Sequence, residues 1–435
     1  MKKSFWLWSA VFLWIGSMVW AWIFVLLWEA WNIAWNLVWV SFTLWWIIAL
    51  LSWYSLAKLA SAYPSRWWIV EYLVQTYWEW IFSWTIAILF YFSAIIWLTM
   101  VVKTFWTYAS LMVWLNNEIY VNIFSIWILF IFVLINLAWS SLITKSENII
   151  VLFKLSIIII FSIIISFFIQ PDLLRIVNNY NVLNIFSAIW LTFFAYEWFR
   201  VITNTAEDME NPWEIMLKSM MISIGLVIIL YVFISITVFW NLSLWEIIKA
   251  KDYALAEAAK PVFWQIWFTI MAIAALVSTS SSINANLYAI TNVTYGMAKN
   301  WELPKQFKTW IFNSTEWLLI SSIIISVIIL FFDLSLIASV WAISMLFIHL
   351  LVHIWHLFVI KNTKASKILI YSAIITILIT IILAYSYTSK HVDNLWYLFS
   401  WSLLFAFICE IFLRLSNWRI IKWQSKQKWF LNFLK

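Results

Sequence analysis

Tryptophan occupies positions in this chain where small residues normally let helices pack closely. The 435 residues include 39 Trp and only three Gly, although proteins average about 7% glycine and membrane helices use more. Trp20 and Trp22 flank Ala21 within one apolar run, and Trp45 and Trp46 are adjacent. We interpret most of these tryptophans as glycines, encoded by UGA codons that mean glycine in the source organism and were translated as tryptophan.

An interfacial aromatic belt is the alternative explanation of the tryptophan content. Such belts collect at the two membrane surfaces, whereas Trp97 and Trp198 lie well inside apolar runs. Glycine at most of the Trp positions would make up about a tenth of the chain, a frequency that suits a bundle with close helix contacts.

The composition is that of a helical protein that crosses the lipid bilayer many times. Hydrophobic residues make up 66% of the chain, charged residues 10%, and the mean hydropathy is +0.95. The net charge of +7 is spread over short loops, which argues against a nucleic-acid partner. The single Cys409 excludes an internal disulfide.

Twelve apolar runs are long enough to cross about 30 Å of hydrocarbon. Most of the 26 Lys and Arg residues fall on the side of the two termini, which predicts an inner (plasma) membrane protein with both termini cytoplasmic. Lys103 is assigned to the opposite side, as are the basic residues of the longest external loop, around residues 240–261, where a short amphipathic helix is expected. The predicted spans cover residues 8–28, 37–58, 80–103, 121–143, 149–169, 184–204, 217–241, 265–296, 317–332, 335–360, 368–388 and 395–416.

Two of these spans are predicted to be broken. The first is interrupted at residues 16–22 and the sixth at residues 193–198. Breaks five spans apart are expected if two inverted repeats of five helices each begin with a broken helix at the binding site. The fold prediction is therefore an all-α membrane protein with a five-plus-five inverted repeat, like that of the leucine transporter. One transporter domain covers residues 1–435, with repeats at 8–169 and 184–360, and with two additional helices and a basic cytoplasmic tail at 361–435.

The two breaks supply the candidate substrate-binding residues. Backbone N–H groups freed at an unwound segment need partners, and a substrate carboxylate provides them. Glu197 is costly at membrane depth and so indicates function, while Phe194 and Tyr196 could cap a ligand. The alternatives are a packing helix kinked at glycine, ordinary core aromatics, and a Glu197 that only bonds a neighbouring helix. The candidates are Ile15, Gly16, Ser17, Met18, Val19, Trp20, Ala21, Phe193, Phe194, Ala195, Tyr196 and Glu197.

Lys154 and Ser281 are the candidates for proton coupling. A buried ammonium can lose and regain its proton over an accessible pH range, and Lys154 falls within the fifth span. The alternative to proton coupling is that the Lys154 side chain extends to the cytoplasmic surface. Ser281 belongs to a hydroxyl-rich segment, residues 278–282. Three alternative roles are open for these hydroxyls: they face the first break, they hold a sodium ion, or they bond neighbouring helices.

Three histidines share one face of the tenth span, at His349, His353 and His356. This spacing allows a metal site, but no Cys or carboxylate completes the set. The chain contains no Walker loop, dinucleotide fingerprint or nucleophile elbow. We therefore expect no enzyme activity, no metal and no cofactor.

Read with Gly for Trp, the chain resembles the amino acid-polyamine-organocation (APC) family of transporters over nearly its whole length. Residues 14–24 (WIGSMVWAWIF) resemble the signature GIGxxxGAGIF, and residues 62–72 resemble a cytoplasmic YPxxGG segment. Residues 193–199 and 204–212 resemble FFAYEGF and AEExxNP, and residues 295–304 resemble YxMARDGxLP. The chain departs from these patterns at the Trp positions and at Asn292, Lys299 and Asn300.

The resemblance implies a fold and a set of roles. It implies that backbone N–H groups of residues 16–20 bind a substrate carboxylate, that carbonyls near residues 193–195 hold the amino group, and that Phe194 is a gate. It also implies proton coupling, because proton-coupled members carry a lysine like Lys154 in place of the sodium site.

The sequence thus predicts an amino acid permease that works by alternating access, driven by a proton gradient as a symporter or working as an exchanger. One alternative is a sodium-coupled amino acid carrier or a polyamine carrier. The other is a membrane sensor or channel that keeps the fold without transporting substrate.

Overall fold

The computed structural model describes most of the chain between residues 7 and 416. The described residues are 7–19, 27–63, 72, 81–113, 117–170, 172, 182–196, 209, 211–250, 253–258, 260–299, 310–311 and 314–416.

Helices form nearly all of the described structure, because apolar segments in a membrane must satisfy their backbone hydrogen bonds internally. A two-residue antiparallel pair, β1 (Trp310–Ile311) with β2 (Ser314–Thr315), is an exception. The α-helices are α1 (Leu7–Met18), α2 (Leu27–Ala34), α3 (Val38–Ala62), α4 (Ile81–Val113), α5 (Glu118–Ser166), α6 (Val182–Tyr196), α7 (Pro212–Phe239), α8 (Leu244–Ala250), α9 (Ala254–Glu257), α10 (Lys260–Lys299), α11 (Glu316–Phe331), α12 (Leu334–His356), α13 (Ile360–Thr363), α14 (Lys367–His391) and α15 (Leu395–Ser416). A 3-10 turn at Trp35–Leu37 joins α2 to α3, and another at Leu357–Val359 joins α12 to α13.

Eight helical segments among the described residues are long and apolar enough to cross a membrane. Three shorter apolar segments, Leu155–Ser166, Leu183–Phe193 and Leu318–Phe331, fall within the predicted fifth, sixth and ninth spans. The protein is therefore a many-helix membrane protein.

Two predicted boundaries differ from the structure. The first span was expected to reach residue 28, but α1 ends at Met18 and α2 begins at Leu27. A connection was expected between residues 143 and 149, but the backbone is helical throughout the 49 residues of α5. A helix of that length extends about 74 Å, more than twice the hydrocarbon thickness. Apolar content alone could not reveal this continuity, because polar residues such as Lys145 and Glu147 are compatible with either a helix or a loop.

The helix α4 forms the centre of the bundle. It packs against α5, α10, α11, α12 and α15. In its most apolar stretch of 18 residues, 83% of the residues are buried. In the most apolar 18-residue stretch of α15, only 17% of the residues are buried. Large side chains of this helix, such as Phe412 and Leu415, are exposed. A surface of this kind suits contact with lipid.

Lys103, which the sequence analysis assigned to the side of the membrane opposite the termini, is buried within the bundle. Its Nζ donates to the carbonyl oxygens of Ile329 at 3.3 Å and Phe332 at 2.6 Å. A cation at these carbonyls complements the negative end of α11. The segment predicted as the longest external loop contains the two short helices α8 and α9.

Candidate transport site

The helix α1 ends in the interior of the bundle. Its 12 residues span about 18 Å, which is less than the hydrocarbon thickness of about 30 Å. Met18 and Val19 are both fully buried. The Tyr231 hydroxyl from α7 donates to the Met18 carbonyl oxygen at 2.7 Å. A helix that ends at this depth leaves carbonyls without helical partners, and Tyr231 satisfies one of them.

The position of this end changes which N–H groups are available. Met18 lies within the α-helix, and the Val19 N–H donates to the Ile15 carbonyl at 2.9 Å. Gly16 and Ser17 are helical as well, so the N–H groups of residues 16–19 already have helical partners. The N–H groups of residues 16–19 are therefore not free to bind a carboxylate in this structure, and the binding role stays a prediction. Trp20 and Ala21 lie outside the described residues.

The last turn of α6 is held in the core. The Phe193 side chain is fully buried, with its ring 4.9 Å from the Trp45 ring and 5.4 Å from the His349 ring, both edge-on. The backbone remains helical through Tyr196. The break predicted to begin at Phe193 therefore begins no earlier than residue 197.

The other predicted residues of this segment are only partly described. The structure describes the backbone of Phe194, Ala195 and Tyr196 within α6 and does not describe their side chains. Glu197 lies outside the described residues. The gate and capping roles of Phe194 and Tyr196 stay predictions.

The first half of α3 lies close to the C-terminal ends of both α1 and α6. The Phe42 ring lies 6.0 Å from the ring of Tyr231, which holds the end of α1. Trp45, one turn along α3, contacts Phe193 near the end of α6. The Ser41 hydroxyl fixes the same interface by donating to the Ile185 carbonyl at 2.8 Å. Phe42 and Trp45 are about 4.5 Å apart along the helix axis, so one turn of α3 contacts Phe193 of α6 directly and reaches the end of α1 through Tyr231 of α7.

The two proton-coupling candidates lie on neighbouring helices that pack together, α5 and α10. The Lys154 backbone is helical within α5, and its side chain is not described. Ser281 is half-buried on α10. The predicted bond between them stays a prediction.

Other polar residues of α10 are buried. Asn136 from α5 donates to the Asn284 side chain at 2.6 Å, and Asn286 donates to the Ser282 carbonyl at 2.9 Å. The contact between helices is therefore made by Asn284, while Ser282 bonds within α10, and the roles predicted for the hydroxyls of residues 278–282 stay predictions. Ser278 is fully buried, and its Oγ has no hydrogen-bond partner within the described structure.

The three histidines of α12 do not form a metal site. His349, His353 and His356 are fully buried, and two of them bond to hydroxyls of α3 rather than converging on one point. No group of three or more potential metal ligands occurs among the residues that the structure describes. The sequence predicted the shared face of these histidines but not their hydroxyl partners, which come from a helix about 300 residues earlier.

Tyr231 is a site residue that the sequence analysis missed. It lies in a continuous apolar run of α7, where a tyrosine has no local feature that separates it from an ordinary packing residue. The Tyr231 hydroxyl reaches the Met18 carbonyl because α7 packs against the end of α1.

Comparisons with known proteins agree with this architecture. Residues 5–385 match the amino acid permease family. The inner membrane transport protein YbaT of Escherichia coli is 28% identical over 396 residues, covering 89% of this chain and 91% of that protein. The protein MJ0609 of Methanocaldococcus jannaschii is 33% identical over 351 residues, covering 78% of this chain and 79% of that protein.

A solved structure shows the same fold. A mutant manganese transporter of Eremococcus coleocola superposes with a TM-score of 0.58 over 94% of this chain and 92% of that chain, at 12% identity. At this identity the likeness concerns the fold alone. With the family match over most of its length, the chain belongs to the amino acid permease family and is a membrane transporter rather than an enzyme.

Proposed function

We propose that the protein is a secondary active amino acid transporter that works by alternating access, as a proton symporter or an exchanger. The observation that carries this proposal is the buried end of α1 at Met18, held by Tyr231. Helices that end at the middle of a membrane expose backbone groups suited to a zwitterionic ligand. The family match supports an amino acid as the substrate.

The geometry suggests how the substrate is oriented. The C-terminal ends of α1 and α6 present carbonyls at one level of α3, and these negative ends suit an amino group. The carboxylate is then bound by N–H groups beyond Val19, in the segment that includes Trp20 and Ala21. This assignment keeps the roles implied by the family and places the N–H donors after the end of α1.

The topology proposed with this function has twelve spans, two inverted repeats and both termini in the cytoplasm. The eight long apolar segments and the three shorter ones support this count when α1 is added as the first half of a broken span. The proposed location is the inner membrane, the location that the name of the relative YbaT gives for that protein.

Purified protein in liposomes tests the transport function. We expect counterflow of at least one radiolabelled protein amino acid, and accumulation when the pH is lower outside than inside. Accumulation that requires a sodium gradient would instead support the sodium-coupled alternative, for which Ser278 supplies a buried hydroxyl. Binding of amino acids without counterflow would indicate a sensor and overturn the proposal.

Lys154 is proposed to hold the coupling proton, and a substitution tests this role. The Lys154→Ala variant should lose the response of uptake to a pH gradient and keep amino acid binding, because backbone groups hold the carboxylate. The Lys154→Arg variant should behave in the same way, since its guanidinium does not release a proton. An unchanged response to the gradient in Lys154→Ala would remove Lys154 from the coupling mechanism.

We also propose that most tryptophans are glycines in the natural protein. Trp35 has φ of 53°, a left-handed conformation that glycine adopts readily and bulky residues rarely do. Trp45, Trp53 and Trp190 are buried, and their indole N–H groups have no hydrogen-bond acceptor in the described part of the chain. Buried indoles usually find an acceptor. By contrast, the Trp396 indole donates to the Thr388 hydroxyl at 2.9 Å and is expected to be genuine.

The gene sequence and the mass of the natural protein test this proposal. UGA codons are expected at Trp20, Trp22, Trp35 and Trp45, and UGG is expected at Trp396. Peptides from the native host should carry the mass of glycine at the UGA positions. UGG codons at Trp20 and Trp22 would disprove the interpretation.

A further inference from the structure

A continuous chain of buried hydrogen bonds joins α3 to α12 and α13. Ser52 Oγ lies 2.8 Å from His353 Nε2, and Ser55 Oγ lies 2.8 Å from His353 Nδ1. Ser55 Oγ also lies 2.8 Å from His356 Nδ1, and His356 Nε2 lies 2.7 Å from Thr363 Oγ1. All five side chains are fully buried. We call these five residues the histidine–hydroxyl chain.

One direction of donation satisfies every bond in this chain. Thr363 Oγ1 donates to the Ile360 carbonyl at 3.2 Å, so it accepts from His356 Nε2–H. His356 Nδ1 then accepts from the Ser55 hydroxyl, and Ser55 accepts from His353 Nδ1–H. Finally, His353 Nε2 accepts from the Ser52 hydroxyl. The two imidazoles are therefore neutral and hold opposite tautomers, Nδ1–H in His353 and Nε2–H in His356.

The two ends of the chain reach different environments. At the inner end, the His349 ring lies between the His353 ring, at 6.1 Å, and the Phe193 ring near the end of α6. At the outer end, the exposed residues beside Thr363 include Asn362, whose side chain donates to the Tyr63 hydroxyl at 2.9 Å. The distance from His349 to Thr363 along the helix axis is about 21 Å. The bonded chain thus runs from Ser52 to Thr363, with His349 between its inner part and Phe193 and with the exposed Asn362 next to its outer end.

Other ionisable groups near the chain are mostly basic or paired. Lys58 acts on His356 electrostatically, and its Nζ lies over the ring of Trp213 at 5.4 Å. Glu410 on α15 is paired with Arg414. The remaining neighbours on the packed elements are Tyr54 and Tyr63 of α3, His349 of α12, Lys361 of α13, Lys364 after it, and Lys367 of α14.

We propose that the histidine–hydroxyl chain is a proton-transfer path between the candidate transport site and the surface at Thr363. This inference rests on the proposed proton-coupled transport and adds a path that is separate from Lys154. Alternating imidazoles and hydroxyls suit this role because each can accept a proton on one side and release a proton on the other.

The transfer can be written with every proton accounted for. A hydronium ion at the inner end protonates Ser52 Oγ as the original Ser52 proton moves to His353 Nε2. The Nδ1–H bond of His353 then breaks as its proton passes to Ser55 Oγ, and the original Ser55 proton moves to His356 Nδ1. The Nε2 proton of His356 passes to Thr363 Oγ1 as the Thr363 hydroxyl breaks its bond to the Ile360 carbonyl and releases its original proton to water beside the exposed Asn362. One proton enters and one leaves, while both histidines exchange tautomers.

The tautomers provide a test that does not require transport. Protein labelled with ¹⁵N-histidine should show His353 protonated on Nδ1 and His356 protonated on Nε2, assigned by comparison with His353→Gln and His356→Gln. The same tautomer in both residues, or a charged imidazole in either one at neutral pH, would contradict the donation pattern.

Ser55→Ala tests the path itself, because it removes the hydroxyl that links the two histidines. In liposomes with an internal pH indicator, the proton flux that accompanies amino acid uptake should fall at least tenfold. Counterflow, which requires no net proton movement, should stay within twofold. Ser55→Thr should restore the flux because it keeps the hydroxyl. Ser344→Ala is the matched control, since that buried hydroxyl on α12 bonds only the carbonyl of its own helix, at Val340.

The outcomes separate this path from the transport function. Wild-type proton flux in Ser55→Ala overturns the path, and so does an equal loss of flux and counterflow, which indicates a structural role. If the parent shows no counterflow with any protein amino acid, the proposed function fails, and the path is then judged by proton leak under a potassium–valinomycin potential. A leak that Ser55→Ala leaves unchanged overturns the path. If Ser55→Ala does not fold, Thr363→Val removes the outer hydroxyl instead.

Discussion

The two halves of α3 use polar groups in opposite ways. Its first half, around Ser41, Phe42 and Trp45, borders the ends of α1 and α6, where the groups to be satisfied belong to the backbone. Its second half, at Ser52 and Ser55, contacts the histidines of α12, where side chains bond side chains.

The difference indicates that the two halves of α3 have different functions. A helix end in the membrane provides carbonyls and N–H groups at fixed positions, which suits binding of a substrate. A line of hydroxyls and imidazoles has donors and acceptors that can exchange roles, which suits movement of protons. Substitutions in the first half should therefore change all modes of transport, and substitutions in the second half should change only those modes that move protons.

After Ser55→Ala, the largest effect is expected from Tyr231→Phe. Removal of the hydroxyl leaves the buried Met18 carbonyl without this donor, at a cost of at least about 1 kcal/mol, or about fivefold. Counterflow and proton-driven uptake should fall together by this factor, as measured in liposomes. Loss of uptake with unchanged counterflow would place Tyr231 in proton coupling and remove the contrast between the two halves.

A smaller effect is expected from Thr363→Val, which preserves shape and removes the outermost hydroxyl of the chain. Proton-driven uptake should fall about threefold, less than in Ser55→Ala, because Thr363 is the last group of the chain and not a link between two histidines. Counterflow should stay at the level of the parent, measured in the same liposomes. A parallel loss of both activities would indicate that Thr363 serves only packing.

Ser223→Ala should have a smaller effect still. This hydroxyl on α7 donates to the Val11 carbonyl at 3.3 Å, and Val11 lies within α1 where helical bonding already satisfies its carbonyl. Counterflow should change less than twofold. A loss as large as that of Tyr231→Phe would show that the whole interface between α1 and α7, and not the helix end, determines binding.

Gly225→Ala should have no measurable effect on transport. A Cβ atom at this position on α7 meets nothing within 4 Å, and alanine favours a helix by up to about 1 kcal/mol over glycine. The thermal midpoint of the purified protein should be unchanged or slightly higher. A clear loss of stability would mean that α7 packs more tightly than the structure shows.

The described residues border both predicted breaks. The α1 helix ends at Met18, inside the interruption predicted at residues 16–22, whereas α6 stays helical through Tyr196, within the interruption predicted at residues 193–198. The edge-on contact between Phe193 and His349 of α12 holds this turn of α6 in the core, and contacts of this kind between distant helices extend a helix beyond its local signals.

Other contacts could not be predicted for the same reason. The sequence analysis used Lys103 only to assign a side of the membrane, and the carbonyls at the end of α11 that bond its ammonium are far away in sequence. The histidines were considered for metal binding because their spacing is local, whereas their partners Ser52 and Ser55 are remote in sequence.

The sequence by itself determined the class of protein, the family and the approximate spans, because hydrophobic length and local motifs depend only on neighbouring residues. Tertiary structure alone decided that Tyr231 meets Met18 and that two serines of α3 join two histidines of α12. Hydrogen bonds between distant residues depend on how helices pack and rotate against one another. That information is distributed over whole interfaces and has no signature in any single segment.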